Sequence, residues 1–323
     1  MAKKYAFLFP GQGAQAPGMI KDVAEKSASA QKVIDEVSSI IDVDMKQLLW
    51  ESEADTLSRS DNSQIAITTA SLAIMAALKD KGIEPSSAMG FSLGEFPALY
   101  AAGVLSFEDL VKVVRERGLI MQKVCEQIAS ENSGHAPGMS AVIGLSPEKV
   151  KEIVSSIPNA YAANMNSVKQ TVVSGTFDAL NALEKACAEE GSKISARVKV
   201  VKLKVAGPFH SPLMQPAADE FGKFLADVSF SDPKIPLFSN VTGKQVLSGA
   251  EIKDAAVLHL THSVLWTDEE AVLASLIESE NDSEWNVLEV GPGAVLTGLW
   301  GKTEFGAKLA SLPINTAESI ASL

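Results

Sequence analysis

The sequence predicts an α/β fold in which a large unit built on a parallel sheet is interrupted by a small inserted one. Three observations predict it. Short apolar runs bounded by turn residues alternate with helical stretches through the first third of the chain. The middle then changes to a βαββαβ order over residues 135–205, the pattern of a small ferredoxin-like subdomain. Alternation returns afterwards, so the large domain is discontinuous, over residues 1–134 and 206–323. The chain has 323 residues, 46% of them hydrophobic, and at about 150 residues per domain that length suits two units with a substantial core.

The elements follow in order. Residues 5–9 (YAFLF) form an apolar run closed by Pro10 and Gly11, which reads as a buried strand entering a loop. Residues 64–78 (QIAITTASLAIMAAL) are apolar nearly all round, as expected of a helix inside the protein. A brief strand at 88–90 follows the turn signal KGIEP, and helix-like GEFPALYAAG comes next. Ser106 and Asp109 cap a further helix whose apolar stripe runs through Leu110, Val114, Met121 and Val124. Inside the insert, residues 138–145 read as a strand and 146–157 as a helix with a serine cap and a proline at its first position. Residues 170–173 read as a strand, 177–190 as a helix and 194–205 as a strand. IPLFSNVTG, VLHLTHSVLW and WNVLEVGPG then supply strand-like segments among helices, with no internal repeat and no low-complexity stretch.

Composition excludes several classes of function. A net charge of −12 opposes general binding to nucleic acid or anionic membrane, which needs clustered Lys and Arg. No apolar run approaches the roughly 20 residues that cross a bilayer, and the apolar stretch before Pro10 is too short for a signal peptide. Cys125 and Cys187 have no C-x-x-C spacing and make no disulfide framework, which points to a reducing cytoplasm.

The chemistry-bearing stretch is GFSLGEF, residues 90–96. Ser92 with Glu95 fits a capping box, S-x-x-E, in which each side chain bonds the other's backbone. The same residues fit G-x-S-x-G, the strand-to-helix elbow that presents a nucleophilic serine. The two readings are compatible if Glu95 steadies the helix start while Gly90 and Gly94 leave the Ser92 hydroxyl exposed. A serine nucleophile needs a general base, and the chain holds four histidines. His135 lies in a Gly/Ser/Pro loop; His259 and His262 have H-x-x-H spacing without an evident third metal ligand. His210, in the loop GPFHSPLM where the chain re-enters the large domain, is placed as functional loop residues often are, and a buried structural histidine remains open there. Arg117 falls on the apolar stripe of its helix, so its guanidinium is aimed inward and requires an anion. That anion is either a carboxylate of the protein or, held in a bidentate clamp, one of a substrate.

FPGQGAQ (9–15), GFSLGE (90–95), RERG (115–118), GPFHSPLM (207–214) and EVGPGAVLTGL (289–299) together resemble the malonyl-CoA:acyl carrier protein transacylases over nearly the whole chain. The acyltransferase domains of fatty acid and polyketide synthases are the nearest relatives of that family. The resemblance implies a large α/β-hydrolase-like domain with a parallel-sheet core. It implies that Ser92 becomes malonylated, that His210 is its general base, and that Arg117 pairs with the free malonyl carboxylate. The backbone N–H groups of Gln12 and Leu93 would form the oxyanion hole, and the main-chain carbonyl of His259 would orient His210 in place of a triad carboxylate. Phe209 resembles the malonyl-selective version of its motif, since a phenyl there crowds a 2-methyl branch.

The implied reaction is ping-pong transfer of malonyl from CoA to the phosphopantetheine thiol of acyl carrier protein, with no metal or other cofactor, CoA thioester being a substrate. Fatty acid synthesis is the expected destination; a polyketide-type trans-acting acyltransferase, a serine thioesterase or hydrolase, and a non-catalytic carrier-binding module are the alternatives. A hydrolase of the elbow type would have its acid before the histidine and an HGGG-type loop, which this chain lacks. Two positions depart from the family: Phe91 stands where histidine is usual and His259 where glutamine is usual, and the His259 imidazole is expected to be incidental. ARVKVVKLK (196–204) places Arg197, Lys199, Lys202 and Lys204 on or beside one strand, either a solvated face or a meeting point for an acidic carrier protein. A monomer is expected.

Overall fold

The computed structural model describes residues 2–132, 134–195, 197–280 and 282–323. In chain order its strands are β1 (Ala2–Phe9), β2 (Ser87–Gly90), β3 (Gly138–Ile143), β4 (Ala160–Ser167), β5 (Gln170–Gly175), β6 (Lys199–Lys202), β7 (Leu237–Ser239), β8 (Lys244–Val246), β9 (Ser283–Val290) and β10 (Ser311–Ile314). Among the described residues they form two sheets. The larger has the order β10-β9-β1-β2-β7-β8 and is parallel from β10 to β7, with β8 antiparallel at its edge. The smaller is antiparallel, in the order β4-β5-β3-β6.

The large sheet is covered on both faces, which is why its strands are apolar without strict alternation. Phe7, Phe9 and Ala88 pack on one side with the helices Ala28–Ile41, Ser60–Asp80 and Phe107–Glu131. Ala6, Leu8 and Met89 pack on the other against Trp266, Leu273 and Trp300. The helix Ser60–Asp80 is buried nearly all round, as its unbroken apolar composition requires. A Cβ on Gly118 would lie 2.8 Å from the Ser60 carbonyl oxygen, so the absence of a side chain lets the helix Phe107–Glu131 approach this one closely. That approach brings Arg117 against Gln64.

All four strands of the small sheet fall inside the expected insert, and its order is that of a split βαβ unit. Its helices are capped as the residues predict: Ser146 accepts from Lys149 N with Pro147 following, and Thr176 accepts from Ala179 N. β4 is the second strand that the expected βαββαβ order requires; the sequence reading assigns no segment to it, because AYAANMNS carries neither an apolar run nor clean alternation. Register shifts flank Asn164 in β4, and such bulges re-aim side chains.

Three sequence expectations are corrected. The strand expected at 194–205 is only Lys199–Lys202, because the preceding helix runs through Lys193 with Ile194 as its C-cap. VLHLTHSVLW is no strand: it is the end of the helix Gly249–Leu258, a turn, and the first residue of Trp266–Ser279, with Val264 alone bridging Asn164. The capping box between Ser92 and Glu95 is not formed. Ser92 lies at φ 52°, its hydroxyl meets His210, and the Glu95 carboxylate accepts the Asn240 N–H at 2.8 Å.

Candidate active site

Ser92, Gln12 and Asn240 each follow the carboxyl end of a parallel strand, the edge where α/β sheets place their sites. β2 ends at Gly90 and a single 3₁₀ turn, Ser92–Gly94, leads into the helix Glu95–Ala101. A Cβ on Gly90 would collide with the Gly94 carbonyl, and one on Gly94 with the Phe9 carbonyl. Both glycines are therefore required for the turn to fold this tightly. The turn is held at both ends by Asn240, whose Oδ1 accepts the Ser92 N–H at 2.6 Å while Nδ2 donates to Gly90 O at 2.7 Å. Leu93 follows in the first turn, where backbone N–H groups have no intrahelical acceptor.

Ser92 Oγ lies 2.8 Å from His210 Nε2. His210 Nδ1 lies 2.9 Å from the His259 carbonyl oxygen, which can only accept, so Nδ1 carries the proton and the Nε2 lone pair faces the hydroxyl. Burial, reinforced by the Arg117 charge and opposed by that backbone hydrogen bond, lowers the His210 pKa to about 4. The imidazole is therefore neutral at pH 7 and able to accept a proton. His210, like Ser92, has a positive φ, 56°, a cost that persists only where surrounding contacts enforce it. Here the Ser174 hydroxyl of β5 holds the Phe209 carbonyl and the Ser211 hydroxyl holds Pro208 O, pinning the loop on both sides.

Arg117 is 1% exposed yet borders the same cleft, of about 260 Å³, as Ser92 and His210. Nη1 donates to Gln64 Oε1 at 2.6 Å and Nη2 to His259 Nδ1 at 3.2 Å, and the guanidinium stacks 5.2 Å from the Phe96 ring centre. Among the described residues no carboxylate comes within salt-bridge distance of it, and its Nε has no partner. Burial pulls its pKa down to about 9, against the pull of Glu95, so it stays cationic at neutral pH. A charge kept in that setting calls for an anion in the cleft.

The remaining expected residues divide. Gln12 lines the cleft, with its Nε2 donating to Ser60 Oγ at 3.2 Å; Phe209 lines it too and is buried. Phe91 also faces the cleft and packs edge to face on Trp266, with ring centres 5.4 Å apart. His135 is exposed and stacks on Phe177; His262 is exposed and contacts the Leu258 carbonyl. His259 is 1% exposed, and its imidazole, besides contacting Arg117, meets Asn240 Oδ1 at 3.3 Å. Of the basic stretch, Ala196 lies outside the described residues. Lys199 is exposed, Lys202 reaches Asn181 and the Phe177 ring on the helix side of the small sheet, and Lys204 borders the cleft. Sequence reading missed Asn240 and Gln64; a polar residue directly after the buried strand LFS was the available signal for Asn240.

A family described as the acyl transferase domain matches residues 6–303. The malonyl CoA-acyl carrier protein transacylase of Bacillus subtilis is 33% identical over 321 residues, covering 98% of this chain and 95% of that protein. Among solved structures, an acyl carrier protein S-malonyltransferase from Vibrio cholerae superposes with a TM-score of 0.86 at 32% identity, covering 99% of each chain. PlMCAT, solved with AntF, a type II PKS acyl-carrier protein, superposes with a TM-score of 0.86 at 30% identity, covering 99% of this chain and 98% of that one.

Proposed function

This chain belongs to the acyl transferase family, and from that premise we propose how its own residues move a malonyl group from CoA to acyl carrier protein. His210 Nε2 takes the Ser92 proton as Oγ attacks the malonyl thioester. The tetrahedral oxyanion is received by the N–H groups of Gln12 and Leu93, an arrangement worth about 10²–10³-fold in rate per donor. CoA leaves as the thiol, taking the proton from His210. The phosphopantetheine thiol of the carrier then attacks malonyl-Ser92 by the same steps in reverse order, which completes a ping-pong cycle. Arg117 holds the malonyl carboxylate, the His259 carbonyl keeps His210 in the required tautomer, and Phe209 narrows the cleft beside the acyl carbon.

The observation that carries this reading is the Ser92–His210 hydrogen bond of 2.8 Å opening into the cleft that Arg117 borders. Every proton and charge of the cycle is handled by a side chain or backbone group, so the reading needs no metal or redox cofactor. It places the transfer in fatty acid synthesis, in the cytoplasm, with a monomer sufficient because one chain supplies every group. The two cysteines are free and buried, which suits a reducing setting. A polyketide-type role is the second reading, favoured by the likeness to PlMCAT. Incubation with malonyl-CoA, methylmalonyl-CoA and acetyl-CoA separately, followed by peptide mass spectrometry, is the test. Malonyl on Ser92, transferable to a holo-carrier thiol, is expected; release of free malonate without transfer, or an unacylated Ser92, would overturn it.

A further inference from the structure

The hydrogen-bond inventory around His259 has only one solution. A guanidinium donates and never accepts, so the 3.2 Å contact from Arg117 Nη2 makes His259 Nδ1 the acceptor. The proton of the neutral ring then resides on Nε2, which faces Asn240 Oδ1 at 3.3 Å. The orientation of that amide is settled independently, because its Nδ2 donates to Gly90 O at 2.7 Å and to Glu269 Oε1 at 3.0 Å. Asn240 Oδ1 also accepts the Ser92 N–H at 2.6 Å. A continuous path therefore runs from guanidinium to imidazole to amide to the backbone of the nucleophile turn. The edges of Phe96 and of the His210 ring confine the imidazole, with ring centres 5.8 and 5.4 Å away, and Glu95 Oε2 lies 3.6 Å from its Nε2.

We propose that the imidazole of His259, held as the Nε2–H tautomer, is a positioning residue that fixes Arg117 and ties it through Asn240 to the turn carrying Ser92. This rests on the assignment of Arg117 to the substrate carboxylate. One residue then sets two parts of the site: its carbonyl orients the base and its side chain orients the anion clamp. The ring is 1% exposed, so water cannot replace either hydrogen bond. Losing the acceptor at Nδ1 frees one arm of the guanidinium, and with it the angle at which a carboxylate is met.

Two variants and one spectrum test this. His259→Gln supplies an acceptor and a donor; His259→Leu supplies neither. The measurement is the ratio of kcat/KM for Ser92 acylation by malonyl-CoA against acetyl-CoA. Leucine is expected to lower that ratio about tenfold or more, the scale of one hydrogen bond to a charged group, and glutamine to keep it within about threefold. Equal slowing of both acyl groups by leucine, or glutamine as impaired as leucine, would overturn the proposal. Nitrogen-15 NMR of histidine-labelled wild-type protein, with the His259 signal assigned by its loss in His259→Gln, needs no activity and no leucine variant to fold. A neutral Nε2–H ring at pH 7 is expected, and an Nδ1–H tautomer or an imidazolium would refute the inference. A wild-type enzyme that loads acetyl as readily as malonyl would instead refute the role of Arg117 and leave the tautomer result standing, so the two failures are distinguishable.

Discussion

Arg117 is a buried cation whose hydrogen-bond partners, Gln64 and His259, are both neutral, and this asymmetry is the strongest functional signal at the level of single residues. Arg117→Ala should reduce malonyl loading by about a hundredfold or more, since two hydrogen bonds to a charged group are each worth about 1.5–3 kcal/mol. Acetyl loading, which presents no carboxylate, should fall much less. Comparable losses for both acyl groups in parallel kinetics would show that Arg117 serves the helix packing instead. Arg117 was legible because helical spacing alone turns it inward with Leu110, Val114 and Met121. The left-handed backbone of Ser92 and His210 was not, because positive φ is uncommon for any residue but glycine and at these two positions the surrounding packing imposes it. The polar residue after LFS marks Asn240 locally, but its partners Gly90, Ser92, Glu95, His259 and Glu269 are distant in the chain, and no local pattern encodes those hydrogen bonds.

At the scale of elements, β6 separates what the charge pattern merged. Lys199 pairs with Ile143 and Lys202 with Ser140, so successive residues of the strand alternate between the cleft side and the helix side of the small sheet. Lys202 joins the helix Phe177–Lys193, whereas Lys204, past the strand's end, borders the cleft. Reversal at Lys204 should therefore raise the apparent KM for carrier protein several times more than reversal at Lys202, as steady-state transfer assays with each variant would reveal. Identical KM values for both variants would place the carrier elsewhere. The stretch 257–266 shows the opposite limit of pattern reading. Its apolar residues serve three settings in succession, a helix end, a turn and a helix start, and its one contribution to a sheet is Val264 against Asn164. That single bridge, with the Ser263 hydroxyl on Ala162 O at 2.6 Å, joins the small sheet to the segment carrying His259.

For the whole molecule, residues of the small sheet and of the turns that follow the large sheet's strands line one cleft, and buried acids elsewhere in the fold give the folded state a pH dependence with a definite sign. Burial raises the Glu270 pKa to about 8 and that of Glu95 to about 7, against an ordinary value of 4.5. In the unfolded chain both release their protons near 4.5, so the stability they contribute is complete below that pH and is lost as pH rises through 7 and 8. His210 works in the other direction: neutral in the fold down to about 4 but protonated below 6.5 when unfolded, it costs stability as pH falls from 6.5. The two trends oppose each other between 4.5 and 6.5, and above 6.5 only the carboxyl trend remains. Urea midpoints should therefore decline from pH 6.5 to 8, and Glu270→Gln, which keeps the shape of a buried side chain only 2% exposed, should flatten that decline. The comparison isolates Glu270 because surface charges titrate alike in both proteins. Parallel declines in wild type and variant would mean that Glu270 is ionised in the fold, its burial offset by neighbours such as Trp266 and Lys302.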